Sequence, residues 1–143
     1  MHRPAGEAEC PVGLNCRFVP ASYARTDPAD PADPTAYGSY DKADRPRDGD
    51  DIRYIVIHDT EETSDRAIAR FQDPHSTVSA HYLIRSSDGE IIQLVHTRDI
   101  AHQAGNYWFN MHSIGIEHEG VLAAWRSPST TGAPSSTQRT SSF

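Results

Sequence analysis

Residues 52–58 read IRYIVIH, a run dominated by β-branched and apolar side chains. Polar and apolar residues do not alternate along it, so the run predicts a central strand buried on both faces. His58 ends this strand, at the point where side chains of an α/β sheet emerge into a cleft on a rigid support. The run therefore predicts the centre of the fold and one candidate functional residue.

The residues that follow predict one helix and three further strands. Thr63 or Ser64 can cap a helix, Ile68 and Phe71 lie three apart on one of its faces, and Pro74 stops it. The remaining segments are a hairpin of strands 80–86 and 90–95 around an Asp-Gly turn at 87–89, a long loop at 96–112 and a strand at 113–119. This order predicts an α/β fold with a mixed sheet.

The last strand, SIGIEHE at 113–119, alternates with a period of two. One face carries Ile114, Ile116 and His118, and the other carries Gly115, Glu117 and Glu119. We predict that His58 points into an open cleft, with Glu117 on the same side of the sheet. Each follows an apolar residue, Ile57 or Ile116, that we expect in the core.

Composition divides the chain into three parts. The first 51 residues hold seven of the ten prolines and the tandem DPADPADP, which favours an extended, solvated arm. We therefore expect an arm at 1–51, a partial domain at 52–125 in which regular structure begins at Ile52, and a disordered Ser/Thr-rich tail at 126–143. The apolar residues expected to hold the arm against the domain are Phe18, Val19, Tyr23, Tyr37 and Tyr40.

Length and charge exclude several classes of protein. A chain of 143 residues holds one ordinary domain. A net charge of -7 argues against binding to nucleic acid or to an anionic bilayer, and no apolar run approaches the roughly 18 residues of a membrane span. The N-terminus has no apolar signal region. We expect a monomer.

The numbers of cysteine and histidine residues limit the disulfide and metal chemistry open to the chain. Cys10 and Cys16, the only cysteines, either close a small disulfide loop in an oxidising compartment or remain inert thiols. With eight histidines and two cysteines, any metal chemistry would rest on imidazole and carboxylate.

A functional role for His58 or for Glu117 has a non-functional alternative in each case. His58 is a functional group or a solvent-facing strand end, and Glu117 is a general base or a residue on the solvent face of an edge strand. His81 begins a strand and is expected to be structural. The aromatic loop that holds Tyr107, Trp108 and Phe109 is a ligand wall or a loop packed over the sheet.

Three long segments are more informative together than any single residue. They are VIHDTEE at 56–62, VSAHYLIRSSDGEIIQLV at 78–95 and DIAHQAGNYWFNMHSIGIEHEG at 99–120. In this order and spacing they closely resemble the zinc-dependent N-acetylmuramoyl-L-alanine amidases, which include phage amidases and are related to peptidoglycan recognition proteins. CPVGLNCRFVPASYA at 10–24 and YGSYDKADRP at 37–46 are similar to secreted bacterial members.

The resemblance implies a mixed central sheet flanked by helices and a Zn2+ ion held by two His and an Asp or Cys. His58 matches the first zinc ligand. Glu117 matches the carboxylate that activates or orients the bound water in members with an Ala at the position of Ala80. The implied reaction cleaves the amide between N-acetylmuramic acid and L-alanine of the peptidoglycan stem peptide, in the extracellular space or cell wall. The implied substrate contacts are Asp59, His102, Asn106, Trp108 and Asn110.

The chain departs from the family pattern at two places. His102 stands where Trp is expected and Gln103 where His is expected. No His, Asp, Glu or Cys follows Glu119, although the family's other zinc ligands lie beyond this strand. The resemblance therefore predicts a C-terminal half too short to complete the zinc site. The alternative to an active hydrolase is an inactive remnant or a cell-wall-binding module.

Overall fold

The computed structural model describes residues 7–26, 30 and 38–120, and these residues form seven strands and two helices. In chain order they are β1 (Cys16–Phe18), β2 (Tyr40–Asp41), β3 (Tyr54–Asp59), α1 (Ser64–Phe71), β4 (Tyr82–Ile84), β5 (Ile91–Gln93), β6 (Ile100–Ala101), α2 (Tyr107–Met111) and β7 (Ser113–His118). Five strands form one sheet in the order β1-β5-β4-β7-β3, and β2 pairs with β6 in a second sheet. No helix in these ranges is long and apolar enough to cross a membrane.

The five-stranded sheet is mixed, as the order of elements predicts. β4 and β5 are antiparallel, whereas the pairs β1/β5, β4/β7 and β3/β7 are parallel. Gly89 in the turn between β4 and β5 has a φ of 70°, the positive value that the Asp-Gly pair predicts. The predicted hairpin is confirmed, with shorter strands than the sequence pattern suggests.

Helix α1 covers one face of this sheet. Thr63 caps its first turn by accepting a hydrogen bond from the Arg66 backbone N–H, and the helix ends before Pro74. Its apolar face joins Leu83 of β4 and Ile92 of β5, both fully buried, in the hydrophobic core. The core cluster comprises Ala21, Ala67, Ile68, Phe71, Ala80, Leu83, Ile92, Leu94, Val95 and Ala101.

The prediction of a central strand buried on both faces is wrong for β3. In the described part of the chain β3 pairs only with β7, so it lies at the sheet edge. Ile55 and Ile57 are 67% and 65% exposed. The local sequence indicates that these side chains favour a strand. Their burial depends on whether another element covers the face of β3 from which they project.

Regular structure begins earlier than predicted. β1 adds a strand to the main sheet beside β5, and β2 pairs with β6, so the expectation that structure begins at Ile52 is wrong. Val19 and Tyr40 pack against the core, as expected of residues that hold the N-terminal part against the domain. Cys10 and Cys16 form a disulfide. The boundary at residue 51 stays a prediction, and the tail at 126–143 lies outside the described residues.

Glu9 fastens the residues before β1 to the sheet. Its Oε2 atom accepts hydrogen bonds from Gln93 Nε2 at 2.6 Å and from the Thr97 backbone N–H at 2.8 Å. Burial works to raise the pKa of this carboxyl, but these hydrogen bonds lower it below its ordinary value. The N-terminal segment is therefore attached by polar contacts as well as by strand pairing.

Arg45 is more deeply buried than any other arginine or lysine in the described residues before β3, with 3% of its surface exposed. Its guanidinium forms no ion pair with a described residue and instead donates to backbone carbonyls. Nη1 reaches Asn110 O at 3.2 Å, Met111 O at 2.7 Å and Ser113 O at 3.0 Å, and Nη2 reaches Thr97 O at 2.8 Å and Asp99 O at 2.5 Å. This one side chain satisfies carbonyls at the end of α2, in the loop before β6 and at the start of β7.

Candidate active site

His58 and Glu117 occupy the same level on neighbouring strands. They are register partners in the parallel pair β3/β7, so their side chains project from the same face of the sheet. Glu117 is also in register with Leu83 of β4, which places both candidate residues on the face that α1 covers. The predicted same-side arrangement is confirmed. The open cleft around His58 stays a prediction.

The reason given for that arrangement from sequence is wrong. Ile57 was expected in the core and is 65% exposed, and Ile116 is only partly buried. The core lies on the opposite face of these strands, where His58 is half-buried and Glu117 is 9% exposed. His58 and Glu117 thus face inward, and the isoleucines of β3 and β7 face outward.

Glu117 has a desolvated carboxyl. Its Oε2 atom is buried and has no hydrogen-bond partner among the described residues. Burial raises the pKa of this carboxyl above its ordinary value of 4.5, while the nearby His58 and Arg70 act to lower it. A buried carboxyl with an unused oxygen is suited to accept a proton or to bind a polar ligand.

Gln103 contacts His58 directly. The Gln103 Oε1 atom lies 2.5 Å from His58 Nε2, and Gln103 Nε2 donates to Ser113 Oγ at 2.7 Å. The sequence marks Gln103 only as a departure from the family pattern, because no local signal shows that the long loop folds back onto β3. Its side chain crosses over Gly115, where an added Cβ would lie 2.6 Å from Gln103 Cγ.

His81 directly precedes β4 and is fully buried, as expected of a structural residue. Its Nδ1 atom accepts from the Gly115 backbone N–H at 3.0 Å, so Nε2 carries the hydrogen and donates to Asp99 O at 2.9 Å. Burial lowers the pKa of His81 to about 4. The ring is therefore held in its neutral form.

Glu119 joins three elements just beyond β7. Its Oε1 atom accepts from the Ser64 backbone N–H at 2.6 Å, and Oε2 accepts from the Ser86 backbone N–H at 2.8 Å. These bonds lower the pKa of Glu119 to about 2. A carboxylate at the first turn of α1 also suits the positive end of the helix dipole. Glu119 therefore links β7 to α1 and to the end of β4.

Asp59 stands apart from the pair. It is exposed and is the register partner of His118, one residue beyond His58 and therefore on the opposite face of β3. Together with the burial of the Glu117 carboxyl, the negative charge of Asp59 nevertheless acts to raise the pKa of that group. Its assignment as a substrate contact stays a prediction.

The long loop contains structure that the sequence did not predict, namely β6 and α2. Asn106 caps α2 by accepting from the Phe109 backbone N–H at 3.2 Å. The Asn110 side chain accepts from the backbone N–H groups of Gln103 at 3.1 Å and Ala104 at 2.8 Å. Both asparagines shape the loop that carries Gln103, and their predicted contacts with substrate remain untested.

His102 lies beside a buried carboxylate, whereas Trp108 is partly exposed at the surface. His102 Nε2 is 3.2 Å from Oδ1 of the fully buried Asp41, whose other oxygen accepts from Tyr107 Oη at 2.8 Å. Trp108 is 47% exposed and packs at 4.6 Å between ring centroids against His112. Its role as a ligand wall stays a prediction.

The described residues do not complete a zinc site. Within them no group of three or more His, Cys, Asp or Glu side chains is placed to hold a metal ion. His58 supplies one imidazole, and its Nε2 atom is already in contact with Gln103. The sequence beyond Glu119 contains no further residue of these types. Three protein ligands are the usual minimum for a catalytic zinc ion.

The mixed α/β domain thus places an imidazole and a buried carboxyl at the same level on neighbouring strands, and both groups can exchange protons. The family model described as N-acetylmuramoyl-L-alanine amidase matches residues 48–142, which is more than half of the chain. The chain belongs to this family. The matched range extends past the segments at 56–120 that carry the resemblance, into residues outside the described part.

Two relatives show the extent of the similarity. N-acetylmuramoyl-L-alanine amidase A of Achromobacter lyticus is 45% identical over 69 residues, which cover 48% of this chain and 38% of that protein. The crystal structure of a selenomethionine AmpD derivative aligns with a TM-score of 0.52 at 27% identity, covering 74% of this chain and 62% of that chain. The chain thus spans less than two thirds of either relative, and the fold class predicted from sequence is confirmed.

Proposed function

We propose that the protein hydrolyses the amide between the lactyl group of N-acetylmuramic acid and L-alanine in peptidoglycan. The observation that carries this proposal is the pairing of His58 with Glu117 across β3 and β7 in a domain of the amidase family. The stem peptide and the glycan around that amide are then the partners of the site.

Glu117 is the proposed general base. Burial raises its pKa, which makes the ionised carboxylate a stronger proton acceptor than an exposed one. As the water oxygen bonds to the amide carbon, Glu117 takes a proton from that water. It then gives the proton to the amide nitrogen as the carbon–nitrogen bond breaks. The products are the lactyl carboxylic acid and the free amine of L-alanine.

His58 is the polar neighbour of this carboxylate. The ring lies on the same face of the sheet as Glu117, and a positive charge on it acts to lower the pKa of Glu117 against the effect of burial. In its neutral form, the ring offers a nitrogen lone pair beside the base instead. The family resemblance gives His58 the further role of first zinc ligand, but the described residues supply no complete site and no step here passes through zinc.

A second candidate function is binding of the same muropeptide without hydrolysis. The observation that favours it is the number of zinc ligands among the described residues. His58 supplies one imidazole, whereas a catalytic zinc ion usually has three protein ligands. The carboxyl of Glu117 would then accept a hydrogen bond from the bound peptide instead of a proton from water.

One experiment separates the two functions. Purified muropeptide is incubated with the 143-residue protein, with added zinc and with a chelator, and release of the L-alanine amine and retention on cell walls are both measured. We expect amine release that falls by about a hundredfold or more in Glu117→Gln. Glu7→Gln, at an exposed glutamate, is the matched control and should leave release unchanged.

The other outcomes decide against hydrolysis. Retention on cell walls without amine release, with or without zinc, would overturn it and support the binding function. Neither retention nor release would overturn both. The location proposed with either function is the extracellular space or cell wall, and the Cys10–Cys16 disulfide supports an oxidising compartment.

A further inference from the structure

Three polar contacts run in series from the Phe109 carbonyl of α2 to His58. Ser113 Oγ donates to the Phe109 carbonyl at 2.6 Å, and Gln103 Nε2 donates to Ser113 Oγ at 2.7 Å. Gln103 Oε1 in turn lies 2.5 Å from His58 Nε2. Each member of this series has a different donor and acceptor capacity, so the direction of every bond can be worked out.

The series has one consistent direction. The Phe109 carbonyl only accepts, so the single hydroxyl hydrogen of Ser113 is used there, and Ser113 Oγ must accept from the amide group of Gln103. That requirement puts Gln103 Nε2 at Ser113 and Gln103 Oε1 at the imidazole. Because Oε1 only accepts, the hydrogen in the last bond belongs to His58 Nε2.

Gln103 is held at both ends. Asn110 Oδ1 accepts from its backbone N–H at 3.1 Å, which fixes the main chain of the loop. Its side chain lies against the Cα of Gly115, and any Cβ at that position would sit 2.6 Å from Gln103 Cγ. The glycine in the middle of β7 therefore makes the room through which the loop reaches the site.

We propose that Gln103 is a positioning residue that holds the neutral His58 ring with its hydrogen on Nε2. The remaining ring nitrogen, Nδ1, then keeps its lone pair and is the atom of His58 that can accept a hydrogen bond or bind a cation. This proposal rests on the proposed function only in assuming that His58 takes part in the reaction. The contacts themselves involve no substrate.

The test observes the hydrogen on His58 directly. Side-chain 1H–15N spectra of the full 143-residue chain are recorded at pH 8 without substrate, and the His58 signals are assigned by their loss in His58→Ala. In the wild type we expect a slowly exchanging Nε2 hydrogen on His58. This signal should vanish in Gln103→Leu, which has no acceptor, and return in Gln103→Glu, which keeps one.

His81 is the internal control for the fold. Its Nε2 hydrogen donates to Asp99 O inside the core, so the His81 signal should persist in every variant that folds. Two results would overturn the proposal: a hydrogen on Nδ1 of His58 in the wild type, or an unchanged His58 signal in Gln103→Leu with the His81 signal present.

The same variants separate this proposal from the proposed function. Parallel loss of amine release and of the His58 signal in Gln103→Leu, with both restored in Gln103→Glu, supports the two together. If the signals behave as expected but the wild type releases no amine, the positioning role stands and the hydrolytic function fails. If the His58 signal is lost in Gln103→Leu but amine release stays normal, the positioning role stands and hydrolysis does not depend on the form of His58 that Gln103 holds.

Discussion

His58 and Glu117 are register partners on adjacent parallel strands, with their side chains on the core face of the sheet. One comes from the edge strand and is half-buried, and the other comes from the neighbouring inner strand and is 9% exposed. A carboxyl in such a position weakens the folded state whenever it is ionised, because the folded protein solvates the charge less well than water does.

The first prediction is that Glu117→Gln stabilises the protein at neutral pH. The folded pKa of Glu117 is raised above 4.5, so the carboxyl ionises more readily in the unfolded state. The contribution of Glu117 to the free energy of unfolding therefore falls as the pH rises from its unfolded pKa through its folded one. In thermal unfolding, Glu117→Gln should have the higher Tm at pH 7, and the difference should shrink near pH 4. An equal or lower Tm at pH 7 would contradict this.

The second prediction concerns metal content. Structural zinc sites contribute roughly 10 to 16 kcal/mol from about four ligands, so one imidazole supplies only ~3 to 4 kcal/mol, or about millimolar affinity. After gel filtration, elemental analysis of the 143-residue chain should find far less than one zinc per chain. A near-stoichiometric content that His58→Ala removes would contradict the ligand count. It would then require further ligands from His81, His102, His112 or His118.

The third prediction is a loss of stability in mild acid caused by His81. Its pKa is about 4 in the folded state and 6.5 in the unfolded state. The contribution of His81 to stability is therefore complete above pH 6.5 and falls as the pH drops from 6.5 through 4, by at most about 1.4 kcal/mol per pH unit. Urea unfolding at a series of pH values measures this slope. His75→Ala, at an exposed histidine, should leave the slope unchanged, and a flat profile in the wild type would refute the assignment.

The fourth prediction compares two arginines of the N-terminal part. Arg45→Met leaves buried carbonyls without donors and should cost about 3 to 5 kcal/mol in urea unfolding, with a smaller loss for Arg45→Lys. Arg47 forms only an exposed ion pair with Asp44. Arg47→Met should therefore behave like the wild type. Equal effects at the two positions would show that Arg45 is not structural.

The fifth prediction tests the close approach of Gln103 to β7. Gly115→Ala puts a Cβ 2.6 Å from Gln103 Cγ and should destabilise the protein by about 1 to 3 kcal/mol. Shortening the obstructing side chain in Gly115→Ala/Gln103→Ala should recover most of that loss. A double-mutant cycle measures the coupling. Additive effects of the two substitutions would mean that the side chains do not meet.

Sequence predicted the elements whose signals are local. Thr63 and Pro74 bound α1 because capping and chain geometry act over a few residues. The period of two in β7 correctly separated Glu117 from Ile116, although the face expected in the core was the wrong one.

What sequence could not predict depends on contacts between distant segments. Ile57 has the composition of a buried strand residue, but its exposure follows from the position of β3 at the edge of the described sheet. The contact between Gln103 and His58 spans 45 positions and exists because α2 and β6 fold the long loop back. Neither feature has a periodicity or a cap that a local reading could detect.

The chain is fastened to the domain on both sides of residues 27–37. On one side, β1 pairs with β5 and Glu9 binds Gln93 and Thr97. On the other side, β2 pairs with β6 and Arg45 is enclosed. A protease that cut between these anchors would leave two polypeptides joined by noncovalent contacts. A denaturing gel would then show two bands where a native column shows one peak, and the N-terminal piece would behave as a small subunit of the protein.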